Sequence, residues 1–274
     1  MYRLALLLLG AVSVAVAQVN TGSILGDVTD ATSARIPKAR VTITDLDRNI
    51  SQQRETDETG SFVFPSVRVG RYNVTVSAPG FNTYVQQDVK IDVGQKVRVD
   101  AVLQVGDVSQ NVIVEAQAAL LESATSSVGQ VIGGRQIVDL PLNGRDFTQL
   151  ATLSANVIRP AGVGLSGGSQ LAVDGGRTQK TEFIIDGAQN TETTYNGVRL
   201  SSSIDAIQEF KIESNAFSAE YGRSAAVVNV AIKSGTNRFH GTAYEFLRND
   251  RLDARNFFAL SLPPLRQNQY GGSV

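Results

Sequence analysis

The sequence predicts a mainly β chain in three parts: an N-terminal β-sandwich, an α+β stretch, and the first strands of a further β structure. Three observations predict it. Residues 20–116 alternate apolar and polar side chains with period two, punctuated by turn residues. Past Val105-Gly106-Asp107 that alternation breaks into short apolar runs separated by Ala/Ser-rich and Gly/Ser-rich loops. From Phe239 onward an alternating pattern returns, now studded with aromatics.

Composition narrows the chemistry first. The 274 residues include 25 basic and 26 acidic side chains, one histidine, no cysteine and no tryptophan. A hydrophobic fraction of 42% is enough for packed cores. The net charge of −1 lacks the basic clustering of a nucleic-acid binder, so no nucleic-acid partner is expected. Without cysteine there is no disulfide, thiolate nucleophile, iron–sulfur cluster or cysteine zinc site. A single histidine leaves no room for a histidine cage. No cofactor, no metal and no enzymatic activity are expected.

Residues 1–17 read as an export signal. Arg3 supplies the basic start, residues 4–16 are almost wholly apolar, and Ala15-Val16-Ala17 offers a small-x-small cleavage pattern. The stretch falls short of the roughly 20 residues that a membrane-spanning helix needs.

In the sandwich region, Val41, Ile43 and Asp45 alternate with Arg40, Thr42 and Thr44. Tyr72, Val74, Val76 and Ala78 alternate with Asn73, Thr75 and Ser77, and Val97, Val99, Ala101 and Leu103 with Lys96, Arg98 and Asp100. One dry and one wet face per strand is the mark of antiparallel sheets. Turn signals at Asp57-Glu58-Thr59-Gly60, Val69-Gly70, Pro79-Gly80 and Val93-Gly94 divide the region into about seven strands. Gly60 and Gly70 suit turn positions with positive φ, and Phe62, Phe64 and Tyr72 fill one core face. The run Thr56-x3-Gly60-x-Phe62-x-Phe64, followed by Val69-Gly70-x-Tyr72-x-Val74-x-Val76-x-Ala78-x-Gly80-Phe81, resembles the carboxypeptidase regulatory-like domain. That resemblance implies a transthyretin-like or carbohydrate-binding-like sandwich. It does not import catalysis, because a zinc carboxypeptidase needs two His and a Glu on its metal and only His240 is present.

In the middle, Ser109 to Ala116 hold a short apolar strand, and Val128 to Ile132 suggest another. Asn143 is placed to cap a helix whose face carries Phe147, Leu150, Ala151 and Ser154, with Asp146 in its first turn. Phe183-Ile184-Ile185 reads as a buried strand stopped by a turn at Asp186-Gly187. Ser203 is placed to cap a short helix over residues 204–210; Lys211-Ile212-Glu213 and residues 226–233 read as strands, the latter with Val227, Asn229, Ala231 and Lys233 on a second face. In this order the pieces resemble the plug domain of TonB-dependent outer-membrane receptors. The likeness rests on Phe183-Ile184-Ile185-Asp186-Gly187, on residues 204–213, on Ala219-Glu220-Tyr221-Gly222-Arg223-Ser224, and on Val228-Asn229-Val230-x2-Lys233-Ser234-Gly235-Thr236-Asn237. Asp186, Gly187, Tyr221, Gly222 and Asn229 mark that plug motif. Leu140-Pro141-Leu142-Asn143-Gly144-Arg145-Asp146-Phe147 is similar to the Oar-like branch, in which a regulatory-like sandwich precedes the plug. Siderophore receptors carry Leu-Arg-Gly-Pro after the short helix, whereas this chain has Glu213-Ser214-Asn215-Ala216, so the resemblance does not extend to an iron–siderophore substrate.

Residues 239–248 alternate, with Thr242, Tyr244 and Phe246 on one side, as in a lipid-facing barrel strand with interfacial aromatics. Residues 269–274 open a second strand. Receptors of this kind close roughly 22 strands of about 10 residues each around the plug, so the residues after Thr236 suffice only for the first strands. The expected layout is therefore 1–17 signal, 18–116 sandwich, 117–236 plug and 237–274 an incomplete outer-membrane barrel, the chain being the N-terminal piece of a longer protein.

Two short motifs carry little. Gly162-Val163-Gly164-Leu165-Ser166-Gly167 fits GxGxxG and Gly164-Leu165-Ser166-Gly167-Gly168 fits GxSxG, but no helix follows the glycines and no partner histidine lies near. The oxygen-rich run 186–192 lacks the ligand spacing of a calcium loop. Val112-Ile113-Val114-Glu115-Ala116 is open to two readings. By resemblance it lies where a TonB box falls, an extended segment that would pair with an edge strand of a TonB-type energy-transducing protein; otherwise it is the last strand of the sandwich.

The resemblance implies a protein of the outer membrane of a Gram-negative-type bacterium, with sandwich and plug facing the periplasm or inside the barrel. It would gate energy-coupled passage of a bulky solute such as a carbohydrate or peptide, with loops 161–169 and 189–200 toward ligand or pore. The alternative is an exported carbohydrate- or protein-binding sandwich without transport. A hydrolase would need a catalytic cluster that these residues do not assemble.

Overall fold

The computed structural model describes residues 21–106, 111–115, 128–140, 142, 145–160, 170–194, 196–214, 221, 224–255 and 257–274. The predicted signal at 1–17, the linker before Ser127, Asn143, and the glycine loop 161–169 lie outside them, as do Ala116 and Gly222. The chain is mainly β. Residues up to Ser234 form one unit and Gly235–Val274 a second.

The first nine strands are β1 (Thr21–Asp30), β2 (Arg40–Asp45), β3 (Ser51–Glu55), β4 (Ser61–Arg68), β5 (Gly70–Ser77), β6 (Thr83–Ile91), β7 (Lys96–Arg98), β8 (Ala101–Leu103) and β9 (Asn111–Glu115). One sheet centres on β1, antiparallel to β4 and parallel to β7 and β8; the other runs β3-β2-β5-β6-β9. Alternation predicts about seven strands, and two features add to that number. The run from Lys96 to Leu103 splits into β7 and β8, because the Asp100 carboxylate accepts the Asp27 amide at 3.0 Å where the ladder is interrupted. The fully exposed β3 has no apolar face at all; its hairpin pairing with β2 alone makes it a strand.

Every inward position predicted for this domain is buried, Val41, Ile43, Asp45, Tyr72, Val74, Val76, Ala78, Val97, Val99, Ala101 and Leu103 included. Phe62 and Phe64 join them, with ring centroids 6.2 Å apart in an edge contact. Asp45 is tolerated inside because its carboxylate accepts the amides of Asp47 and Arg48 and an Arg48 guanidinium hydrogen bond at 2.7 Å. The Thr56 hydroxyl accepts the Ala39 amide and donates to the Ile36 carbonyl, stitching two loops beneath the sheet. Gly60 has φ 73° in the turn closed by Asp57, as predicted. Gly70 does not turn: at φ 158° it opens β5 in nearly extended form.

The rest of the first unit follows as β10 (Val128–Gly133), the helix α1 (Gly134–Asp139), a 3-10 helix (Phe147–Leu153), β11 (Val157–Ile158), β12 (Ala172–Val173), β13 (Thr181–Ile185), β14 (Ala188–Gln189), a single 3-10 turn (Ile204–Ala206), β15 (Ile207–Ser214) and β16 (Ala226–Ile232). A five-stranded sheet runs β10-β15-β16-β13-β14. One face packs Ile132, Phe183, Phe210, Ile212, Val228 and Val230 against Ile137, Phe147, Leu150, Leu171 and Val173.

Two expectations are corrected here. The helix expected after Asn143 is a 3-10 segment capped by Asp146, whose carboxylate accepts the Thr148 amide at 3.0 Å. The helix expected over residues 204–210 lasts one turn without a side-chain cap from Ser203, and β15 begins at Ile207; alternate burial of Phe210 and Ile212 in the core makes the strand the better solution. Both faces of β16 are buried along most of its length. Val227, Asn229 and Ala231 are all buried, because β16 is a central strand whose other face is covered at Ala231 by Val69 and Val93 of the sandwich.

The second unit holds β17 (Thr242–Asn249) and β18 (Arg266–Ser273), antiparallel from Thr242↔Ser273 to Asn249↔Arg266. The second strand thus starts three residues before the predicted Gln269. Tyr244 and Phe246 share a face at 5.9 Å between rings, and Tyr244 overlies Gly271, where a Cβ would come within 2.5 Å of its hydroxyl oxygen.

Candidate functional site

Four places carry the predicted site residues. The first is β9. Thr83↔Asn111 through Gln87↔Glu115 pair in parallel register, so Val112, Ile113, Val114 and Glu115 form the terminal strand of the β3-β2-β5-β6-β9 sheet. Of the two readings open to this segment, its backbone here makes the sandwich-strand pairing.

The second is the β13–β14 hairpin. Asp186 (φ 46°) and Gly187 (φ 79°) both adopt positive φ, the geometry of a type I′ turn. The Asp186 carboxylate accepts the Ile232 amide at 3.0 Å and its own amide donates to the Val230 carbonyl, tying the turn to the end of β16. Asn229 lies opposite Ile184 one strand away, buried. Asp186, Gly187 and Asn229 are therefore brought together around β13 and β16. Tyr221 is half-buried and lies outside these two strands.

The third is the loop following β14. It borders a cavity of about 340 Å³ lined by residues that include Lys180, Glu182, Thr191, Glu192, Asn196 and Ser224. Much of this polar wall holds the loop itself. Ser224 donates to Glu182 at 2.9 Å, the Thr191 hydroxyl accepts the Phe183 amide, and Asn196 donates to the Gln179 carbonyl. The cavity is lined by hydroxyl, amide, ammonium and carboxylate groups.

The fourth is the Leu140–Phe147 motif, whose described residues have structural work. Arg145 pairs with Asp205. Asp146 caps the 3-10 helix and takes Arg159 at 2.7 Å. Phe147 meets Phe210 edge-on at 5.9 Å.

His240 is exposed, with its Nδ1 2.8 Å from the Arg238 carbonyl oxygen; it stands two residues before β17 rather than within a strand. Among the described residues no group of three or more His, Cys, Asp or Glu is placed to hold a metal, and no helix is long and apolar enough to cross a membrane.

Sequence reasoning missed one cluster. Glu209 is buried on β15 beside Asp92 of the sandwich, and burial first, then the Asp92 charge, push its carboxyl up to about 7. A charged residue at an inward position of a strand is the sequence signal, and the short-helix expectation over 204–210 hid it. Elsewhere the shifts are structural: the Ser61 hydroxyl, and less strongly Arg98 and Arg35, hold Asp27 below the usual carboxylate range against opposing burial.

Residues 23–104 match the carboxypeptidase regulatory-like domain, and residues 231–274 match an outer membrane beta barrel domain. The TonB-dependent transporter Oar of Myxococcus xanthus is 26% identical over 254 residues, covering 85% of this chain and 22% of that protein. The chain thus spans about a fifth of the length of this curated relative. Catechol 1,2-dioxygenase of Acinetobacter radioresistens aligns at 14% identity over 37% of this chain and 56% of its own, with a TM-score of 0.26. The dioxygenase domain of a Streptomyces dioxygenase–carbohydrate-binding fusion aligns at 15% identity over 34% and 84%, with a TM-score of 0.27.

Proposed function

The chain is similar to the N-terminal part of Oar-like TonB-dependent receptors, and from that premise we propose that it forms the periplasmic sandwich, the gate and the first wall strands of an outer-membrane transporter. One observation carries the reading. A regulatory-like sandwich and the beginning of an outer-membrane barrel domain flank, in one chain, a five-stranded domain with its own core, and similarity to a TonB-dependent transporter runs across 85% of the sequence.

In this reading the β10–β16 domain is the plug. Its large buried core and type I′ turn make it a stiff stopper, and solute passage requires that it shift or open as a body. No covalent step is involved. The loop over residues 189–200 and its polar cavity suit hydrogen bonding to a bulky polar solute, a carbohydrate or a peptide. The Tyr244/Phe246 face of β17 and the exposed Leu247, Leu252, Phe257 and Phe258 suit lipid and the neighbouring wall.

Energy coupling is assigned to residues 112–116. As the terminal strand of its sheet, β9 presents a second edge to a strand of a TonB-type protein. The test uses the absence of native cysteine in this chain. Ile113→Cys is introduced into the gene product in its native cells, and disulfide or bifunctional crosslinking to the TonB homologue is scored in the outer-membrane fraction. A crosslink that needs an energised inner membrane is expected. A protein recovered only from the soluble periplasm would replace the transporter with an exported binding sandwich; an outer-membrane protein without the crosslink would remove the TonB assignment of this segment.

A further inference from the structure

Independently of transport, the first unit holds a charged seam where the sandwich sits on the second face of the five-stranded sheet. Period two on β15 puts Glu209, Lys211 and Glu213 on that face, opposite Ala231, Asn229 and Val227 of β16. All three charged side chains are buried, Lys211 to 2% exposure. The turn after β6 covers part of the face. Its Val93 amide donates to Glu209 Oε1 at 2.5 Å, and Gly94 lies against Lys211 and Glu213. Gly129 of the neighbouring strand β10 also leaves room for these two side chains, since a Cβ there would come within 3.2 Å of both. The Lys211–Glu213 pair, 2.9 Å apart, is thus packed against two glycines, one from each body. Val93, Val69 and Ala231 add a small apolar cluster. Past the end of β16, Arg48, held by Asp45, reaches the Ser234 hydroxyl.

Two features mark this as a contact that opens. The first is its chemistry. A buried ion pair adds little net stability, because the desolvation of each charge offsets the attraction between them. Permanent interfaces are instead apolar, like a core cut in half, and polar contacts between domains go with relative motion. When the face is uncovered, Glu209, Lys211 and Glu213 regain their hydration. Asn229 points the same way: it is 8% exposed, and its Oδ1 has no hydrogen-bond partner among the described residues. Uncovering the face gives that oxygen water. The second feature is that release leaves both cores whole. The sandwich core and the sheet core share no residue, and the apolar cluster between them is three residues in size.

We propose that the sandwich docks on the sheet reversibly: it lifts away as a folded body, and the Glu209–Lys211–Glu213 face of β15 then meets water while both cores stay closed. Docked and released forms exchange within the native protein, so solvent reaches this face without unfolding. Exchanging charge for apolar surface should lock the docked form. Lys211→Met with Glu213→Leu keeps side chains of similar length in the seam and removes the hydration that docking strips away.

The absence of native cysteine lets thiol labelling read the opening in the 274-residue chain, held in detergent. Ala231→Cys puts a thiol in the seam and Val230→Cys, its neighbour on β16, puts one in the sheet core; both positions are buried. On the sandwich side, Val93→Cys in the seam and Ile91→Cys in the core make the matching pair. Under native conditions a maleimide should modify each seam thiol at least about a hundredfold faster than its core partner. One release uncovers both seam positions, so their rates, each scaled to an exposed thiol, should agree within about threefold. Adding Lys211→Met and Glu213→Leu should slow both by at least about tenfold. Seam thiols no faster than core thiols overturn reversible docking. So do seam rates that disagree beyond that margin, which would mean local fraying, or a folded Lys211→Met/Glu213→Leu protein that labels as fast as its parent. If that double variant fails to fold, the two seam-to-core comparisons decide the matter without it.

Discussion

At the scale of single residues, two positions give measurable consequences. Gly26 on β1 is where the strand passes closest to the segment between β7 and β8: a Cβ there would lie 1.8 Å from the Val99 carbonyl oxygen. No side-chain rotation relieves a clash with backbone, so Gly26→Ala should cost about 3 kcal/mol, read from the urea midpoint; a loss within error would mean that the strands separate freely. Tyr72 donates to the Arg68 carbonyl at 3.0 Å, and burial first, then the Asp45 charge, push its phenol up to about 12. Its neutral form therefore supports the fold at ordinary pH, and the support is lost as pH rises from 10 through about 12. Ultraviolet titration should show a late-ionising tyrosine among the seven, absent in Tyr72→Phe.

At the scale of elements, the hairpin between β13 and β14 is the sharpest case of sequence dictating backbone. Asp-Gly followed immediately by a returning strand demands positive φ twice, and the structure shows it at both residues. Gly187→Ala should cost about 1 kcal/mol in unfolding free energy and Gly187→Asn less, because Asn tolerates that region better. The sandwich was legible for the same kind of reason: period-two alternation names the buried face directly, and each inward residue from Val41 to Leu103 that the pattern selects is buried. What the pattern could not show is β3, whose pairing with β2 leaves no apolar trace, or the break at Val99-Asp100, set by a side chain replacing a ladder bond. In the middle region the pattern misled. Residues 204–210 fit a helical face, yet a strand buried on both sides also places apolar groups at successive positions, and only the tertiary cover distinguishes the two. That is why Glu209 went unread. Its burial is made by residues more than a hundred positions away, Asp92 and Val93. For the proposed site, Asp186, Gly187 and Asn229 were legible as a motif, but their meeting across β13 and β16 comes from a parallel pairing that no local signal encodes.

At the scale of the molecule, the first unit has two separate cores joined by a thin seam. The sandwich core runs from Ile24 to Leu103 and the sheet core from Ile132 to Val230, and among the described residues a small apolar cluster of Val69, Val93 and Ala231 lies between them. Energetic coupling between two bodies with such separate cores should be weak. Phe210→Ala separates these contributions. Phe210 is fully buried against Phe147, so its truncation should remove about 3–5 kcal/mol from the sheet core without touching a residue of the sandwich core. Calorimetry should therefore show the sheet domain melting earlier, while the sandwich transition, whose core loses no contact, moves much less; equal shifts of both transitions would mean that the two cores unfold as one cooperative body.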